Sequence, residues 1–266
     1  MNQLTGVMLI ALVLSTGCSQ DKGSGQTNTI PSVTPGFEPA RPIRVHDKSM
    51  ASKSGEEILY TVSIPPNYDP QTPTPLVVVL HFGGEVTPHY AREILEMLMI
   101  TGLSDLNAIL VAPDSIAGPW TNQKNENMVL ELMDNVCETY NIDRNRTLLT
   151  GFSMGGHGTW YIGSRNQDRF SALIPIAGSP GVEDDVTWTT PVYAIHSKAD
   201  TVVPIQATKE YVAAQKELGN QNIELAVIEN VPHFQTSGFS TALRNAAPWV
   251  LEIWDAEGNR ESKSGN

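Results

Sequence analysis

Basic residues are scarce. Lys and Arg number 17 against 29 Asp and Glu, for a net charge of −12, and they form no cluster. A nucleic-acid partner is argued against, because a phosphate-binding surface needs clustered cations. An anionic substrate is disfavoured for the same reason, though less strongly, since a local field can differ from the net charge. Cysteine is nearly absent: Cys18 and Cys137 are too few for a disulfide framework. Long apolar runs are also missing. The only strongly apolar stretch, Gly6–Leu14, has nine residues, whereas a membrane span needs about 20. What is present is 40% apolar content over 266 residues, enough for one sizeable core without metals or disulfides.

The short apolar stretch has the length of a signal-peptide core. It is followed by Leu14-Ser15-Thr16-Gly17-Cys18. Small residues ahead of a cysteine resemble a bacterial lipobox, which implies a lipid attached to Cys18 and export to a bacterial membrane surface; plain secretion is the alternative. Residues 1–18 are thus read as a signal peptide. Residues 19–40, rich in Gly, Ser, Thr, Gln and Pro, read as a flexible tether. Residues 41–256 form the folded domain and the polar residues 257–266 a disordered tail. Cys137 falls in a helical pattern with Val129, Leu130, Met133 and Val136 and reads as a small buried hydrophobe.

Within the domain, strand-like and helix-like runs alternate. Glu57–Ile64 alternates with period two and stops at Pro65-Pro66, which suits an outer strand. Leu76–Leu80 is a continuous apolar run, as expected of a parallel strand covered on both faces. Ile109–Ala112, Leu148–Thr150, Ala172–Ala177, Val192–His196 and Ile223–Ile228 are similar. Helical patterns lie between them at Tyr90–Thr101, Asn127–Tyr140, Gly155–Arg165, Ile205–Leu218 and Ala242–Trp254. This alternation predicts an α/β fold with one mostly parallel sheet and helices on both faces. Sites in such sheets form at the carboxyl ends of the strands, where His81, Asp114, Ser153, Asp200 and His233 are expected.

Gly151-Phe152-Ser153-Met154-Gly155 follows one of those strands. A Gly-x-Ser-x-Gly match arises by chance in about one chain in ten of this length at ordinary Gly and Ser usage, so its weight comes from context. At a strand-to-helix turn it presents a serine hydroxyl at the tip. A hydroxyl needs a base, and the base needs a group that fixes its tautomer. Asp200 and His233 follow in the required order Ser, Asp, His. His157 and His196 are weaker alternatives for the base: the first lies one turn along the helix, the second ends a strand. Asp184 and Asp185 precede their strand and are poor candidates for the acid. The backbone N–H of Met154 is one expected oxyanion donor, with a second from His81-Phe82-Gly83-Gly84-Glu85, either Gly83 or Phe82. The spacing of His81, Glu85 and His89 superficially suggests a metal site. Gly83, Gly84 and Pro88 argue against the helix that spacing needs, so no metal and no cofactor are expected.

At this point the chain resembles the α/β-hydrolases of the small carboxylesterase type, near the dienelactone-hydrolase, feruloyl-esterase and polyhydroxybutyrate-depolymerase-like groups. The resemblance runs over Ile58–Trp254. It rests on Ile64-Pro65-Pro66-Asn67-Tyr68-Asp69 leading into Pro75–His81, and on Asp143-Arg144-Asn145-Arg146 leading to Gly151–Gly156. Gly158-Thr159-Trp160, Asp168-Arg169-Phe170, Asp200 with Val203-Pro204, and His233 continue it. Two positions depart: Phe82 stands where the family usually has Gly, and Pro232 precedes His233 where Gly is usual. The resemblance implies the α/β-hydrolase fold and hydrolysis of carboxylic esters through Ser153, His233 and Asp200. Only the 14 residues Gly178–Pro191 separate two strands where larger members carry a helical lid. No large lid domain is therefore expected, and short-acyl or aromatic esters are. Trp120, Trp188 and Phe234 fall in loops on the predicted active face and are candidate substrate contacts. A serine peptidase or amidase, or a non-catalytic surface binding protein on the same scaffold, are the other readings; the oligomeric state is left open.

Overall fold

The computed structural model describes residues 42–181 and 186–264, with side chains through residue 256. The strands are β1 (Arg44–Ala51), β2 (Glu57–Ile64), β3 (Thr74–Leu80), β4 (Ile109–Pro113), β5 (Ile142–Phe152), β6 (Ala172–Ile176), β7 (Val192–Ser197) and β8 (Ile223–Ile228). They form one sheet in the order β1-β2-β4-β3-β5-β6-β7-β8. β2 is antiparallel to β1 and β4; every pairing from β4 to β8 is parallel.

Alternation along β3 shows why its sequence is apolar throughout. Leu76, Val78 and Leu80 face one core, Val77 and Val79 the other. The first core is closed by helices α3 (Gln123–Thr139), α4 (Met154–Arg165) and α5 (Gln206–Glu217), through Val129, Leu132, Val136, Trp160 and Val212. The second is closed by the chain from α1 (Ala91–Ile94) through a π-helical turn, Leu95–Met99, to α2 (Ile100–Gly102), and by α6 (Thr236–Ser264), which contributes Phe239, Leu243, Ala247 and Val250. A strand buried on both faces has no polar side to display, so periodicity disappears and a plain apolar run remains.

Three expectations are corrected. The strand Glu57–Ile64 is not at the sheet's edge: β1, which the sequence pattern did not reveal, lies outside it. Pro65 and Pro66 fall just beyond the last paired residue, Ile64, so they end the strand without disturbing its ladder. β1 itself reads Arg-Val-His-Asp-Lys-Ser-Met-Ala and has no fully buried residue; an edge strand of this kind hides its signal behind charge. The last helix begins at Thr236 and continues to Ser264, taking in most of the stretch read as a disordered tail. Cys137 is half-buried rather than buried, and burial pushes its thiol up from the ordinary cysteine range. Among the described residues no helix is long and apolar enough to cross a membrane. Cys18 and the segments 1–18 and 19–40 lie outside the described residues.

Candidate active site

Five chain segments meet at the carboxyl edge of the sheet. β5 ends at Phe152, α4 begins at Met154, and Ser153 is the hinge between them. Its backbone is left-handed, φ 56° and ψ −114°, a conformation costly for a non-glycine residue. It is held by Ser153 N–H donating to the Ile176 carbonyl at 2.9 Å and by His157 N–H donating to the Ser153 carbonyl at 3.0 Å. The flanking glycines do not supply the bend. Neither has a positive φ. A Cβ on Gly151 would meet the Gly155 carbonyl, and one on Gly155 would meet the Leu80 carbonyl. The glycines supply space where helix and strands touch, and the strain belongs to Ser153.

His233, the candidate base, arrives from the loop between β8 and α6. His233 Nε2 lies 2.8 Å from Ser153 Oγ, and His233 Nδ1 lies 2.6 Å from Asp200 Oδ2. Asp200 comes from the loop between β7 and α5, and its Oδ1 accepts N–H bonds from Val202 at 3.0 Å and Val203 at 2.8 Å. The partners fix the imidazole's tautomer: Nδ1–H donates to the carboxylate, leaving the Nε2 lone pair facing the serine hydroxyl. Asp200 and His233 are buried, and the His233 ring packs against Phe152 at 5.1 Å between centroids. The other two histidines are engaged elsewhere. His157 Nδ1 bonds to the Ser179 carbonyl at 2.8 Å. His196 reaches Val203 O and Thr208 Oγ1.

The turn after β3 is bolted down by partners that sequence inspection did not assign. His81 is wholly buried; its Nδ1–H donates to Phe82 O at 2.6 Å, and its Nε2 accepts from Ser115 N–H at 3.0 Å. Burial holds this imidazole below the ordinary histidine range, so it stays neutral and keeps both bonds. Trp120 Nε1–H donates to the His81 carbonyl at 2.9 Å. Tyr90 stands between His81 and Phe82, and its hydroxyl donates to Gly83 O at 3.2 Å. Asp114 accepts from the N–H groups of His89 at 2.6 Å and Ala91 at 2.9 Å, tying the start of α1 to the end of β4. Gly83 faces the elbow: a Cβ there would lie 3.8 Å from Met154 Cβ. The two candidate oxyanion donors therefore belong to neighbouring backbone segments. With both ring nitrogens committed to backbone partners, His81 has no lone pair aimed at Glu85 or His89.

Of the three aromatic candidates, only Phe234 is on the surface. It is 81% exposed and its ring stands perpendicular to His233 at 5.2 Å. Trp120 and Trp188 are fully buried core residues. Trp120 anchors His81, and Trp188 donates to Tyr211 Oη at 3.0 Å while packing on Trp160. A tryptophan in a loop can turn inward once its N–H finds a partner, which loop position alone does not reveal. Of Gly178–Pro191, residues 182–185, Asp184 and Asp185 among them, lie outside the described residues.

A profile of the phospholipase/carboxylesterase family matches residues 120–245. A probable feruloyl esterase C of Aspergillus niger is 26% identical over 187 residues, 64% of this chain and 64% of its own length. Among solved structures, a thermostable esterase superposes with TM-score 0.63 at 25% identity, covering 78% of this chain and 62% of that one. A ferulic acid esterase superposes with TM-score 0.66 at 17% identity, covering 79% and 98%. The chain thus spans less than two thirds of the Aspergillus protein and of the thermostable esterase it matches. Its fold is the α/β-hydrolase fold, with an eight-stranded, mostly parallel sheet and helices on both faces.

Proposed function

We propose that this chain is a serine hydrolase of carboxylic esters working through an acyl-enzyme. The observation that carries the proposal is the relay Ser153 Oγ, His233, Asp200, closed at 2.8 and 2.6 Å on a strained elbow. In this reading Ser153 Oγ attacks the ester carbonyl carbon as its proton passes to His233 Nε2. The carbonyl oxygen becomes an oxyanion, met by the N–H groups of Met154 and Gly83. The tetrahedral intermediate collapses, the C–O bond to the alcohol breaks, and His233 returns the proton to the departing alkoxide. Water, deprotonated by the same imidazole, then releases the acid and restores Ser153. Asp200 keeps the ring in one tautomer and stabilises the imidazolium without itself taking the proton.

Two of the matched proteins are named probable feruloyl esterase C and ferulic acid esterase, and Phe234 offers an exposed ring beside His233. Short-acyl or aromatic acyl esters are the proposed substrates, with Phe234 as a substrate contact. No cofactor enters any step. The apolar stretch and Cys18 support export and lipid anchoring, with residues 19–40 as tether between membrane and catalytic domain. Fluorophosphonate labelling of Ser153, followed by turnover of p-nitrophenyl, feruloyl and acetyl-sugar esters beside matched amides, tests the function. Labelling with ester turnover and little amide cleavage is expected; an unlabelled Ser153 overturns the mechanism.

A further inference from the structure

His196 is one of the most buried polar side chains in the molecule, and the relay described above does not use it. It is the penultimate residue of β7, four residues before Asp200. Its Nε2 faces two oxygens, Val203 O at 2.8 Å and Asp200 Oδ2 at 3.7 Å. Its Nδ1 lies 3.0 Å from Thr208 Oγ1 on α5. A nitrogen facing two acceptors must carry the proton. Nε2–H therefore donates to the Val203 carbonyl, and Nδ1 accepts from the Thr208 hydroxyl. Residue 203 is consequently gripped at both ends. Its N–H holds Asp200 Oδ1 at 2.8 Å, and its carbonyl is held by His196. Pro204 follows and has no N–H to give; the loop's other backbone ties, Lys198 N–H to the Ile228 carbonyl at 3.0 Å and Asp200 N–H to the Ser197 carbonyl at 3.3 Å, lie at its start.

We infer that His196 is a positioning residue for the acid: it sets the placement of Asp200 through Val203, and the Thr208 hydroxyl, donating to Nδ1, holds the ring in place for this. The chain of contacts runs Thr208, His196, Val203, Asp200, His233, Ser153, so helix α5 is coupled to the reactive hydroxyl through buried side chains and one backbone residue. Besides Asp200, the titratable groups facing His196 are His233 from the loop after β8 and His157 from α4. Burial, reinforced by those two imidazoles, keeps His196 below the ordinary histidine range, against the pull of Val203 O and Asp200. A neutral ring suits the role, because a cation 3.7 Å from Asp200 Oδ2 would compete with His233 for that oxygen.

The inference rests on Ser153, His233 and Asp200 acting as a relay, and its test separates the two. His196→Phe fills the volume without a donor; Thr208→Val removes only the hydroxyl. The readouts are the rate at which a fluorophosphonate modifies Ser153, and kcat and KM on a p-nitrophenyl ester, each against pH. A displacement of about 1 Å at a reacting group costs on the order of 100-fold. His196→Phe is expected to lower kcat and the labelling rate by roughly 10- to 100-fold with KM little changed. The acid limb of the labelling profile should move to lower pH, because an imidazolium that has lost its carboxylate releases its proton more readily. Thr208→Val should act in the same direction by less, and the double variant should match His196→Phe alone. An unchanged rate, a fallen rate with the acid limb in place, or additive losses would each overturn the inference. Should His196→Phe not fold, Thr208→Val decides by the same readouts. If the native protein is labelled but turns over no ester, the substrate reading fails while the labelling series still decides this one. If the native Ser153 is never labelled, both fall.

Discussion

Replacing Asp200 by Asn changes one atom and should nearly silence the site. The backbone N–H groups of Val202 and Val203 donate to Asp200 Oδ1 at 3.0 and 2.8 Å. In the variant these two donors demand an oxygen, so the amide is forced to place its carbonyl there. The NH₂ group then takes the position of Oδ2, 2.6 Å from His233 Nδ1. Two donors cannot share that contact, so Nδ1 must give up its proton and become an acceptor. The proton moves to Nε2, which now faces Ser153 Oγ as a donor and cannot accept from it. Nothing is removed from the core and every buried donor still has a partner, so the fold should hold. A wrong-tautomer base of this kind costs on the order of 10⁴ in kcat, or about 5.5 kcal/mol of transition-state stabilisation. The assay is kcat on a p-nitrophenyl ester at pH 7 with active sites counted by titration, beside a thermal melt. A variant that stays within tenfold of the native rate while melting normally would refute the tautomer argument.

Ser153→Ala should abolish ester turnover without changing the melt, and His233→Ala should do nearly the same, the two losses failing to add because the residues act as one unit; residual turnover in purified Ser153→Ala would sink the mechanism. Trp120→Phe removes the donor to the buried His81 carbonyl and should cost about 1–3 kcal/mol in denaturant unfolding, with kcat lowered through the oxyanion turn; an unchanged stability would show that the carbonyl finds another donor. Stability should fall as pH drops below about 6.5, the ordinary histidine value. His81 and His196 are held below it by burial, so the unfolded chain takes up protons that the native state refuses. In His81→Gln the acid-side decline of Tm should be shallower, and a decline identical to that of the native protein would count against it. In an ester series, kcat/KM should fall for acyl chains longer than about hexanoate, since each CH₂ left unburied forgoes roughly 0.8 kcal/mol; a maximum at dodecanoate would indicate a deep acyl channel instead.

The sequence by itself determined most of the sheet and the chain order of the candidate site residues. Buried parallel strands must be apolar on both faces, so β3 to β7 stood out as runs bounded by polar loops, and their alternation with helices left one class of fold. Gly151, Ser153 and Gly155 at a strand end, with Asp200 and His233 after later strands, were legible because each position is a loop start, where side chains can converge. Tertiary structure decided what those loops do in space. Which way Trp120 and Trp188 turn depends on whether an indole N–H finds a buried acceptor, and those acceptors, His81 O and Tyr211 Oη, are 39 and 23 residues away. The same holds for His81 and His196, whose ring nitrogens meet partners supplied by other segments. β1 escaped notice because an edge strand carries charge where an inner one carries Val and Leu. Local spacing encodes the period of an element and the order of its residues. Burial and hydrogen-bond partnership are set by distant parts of the chain, and only the assembled fold brings them together.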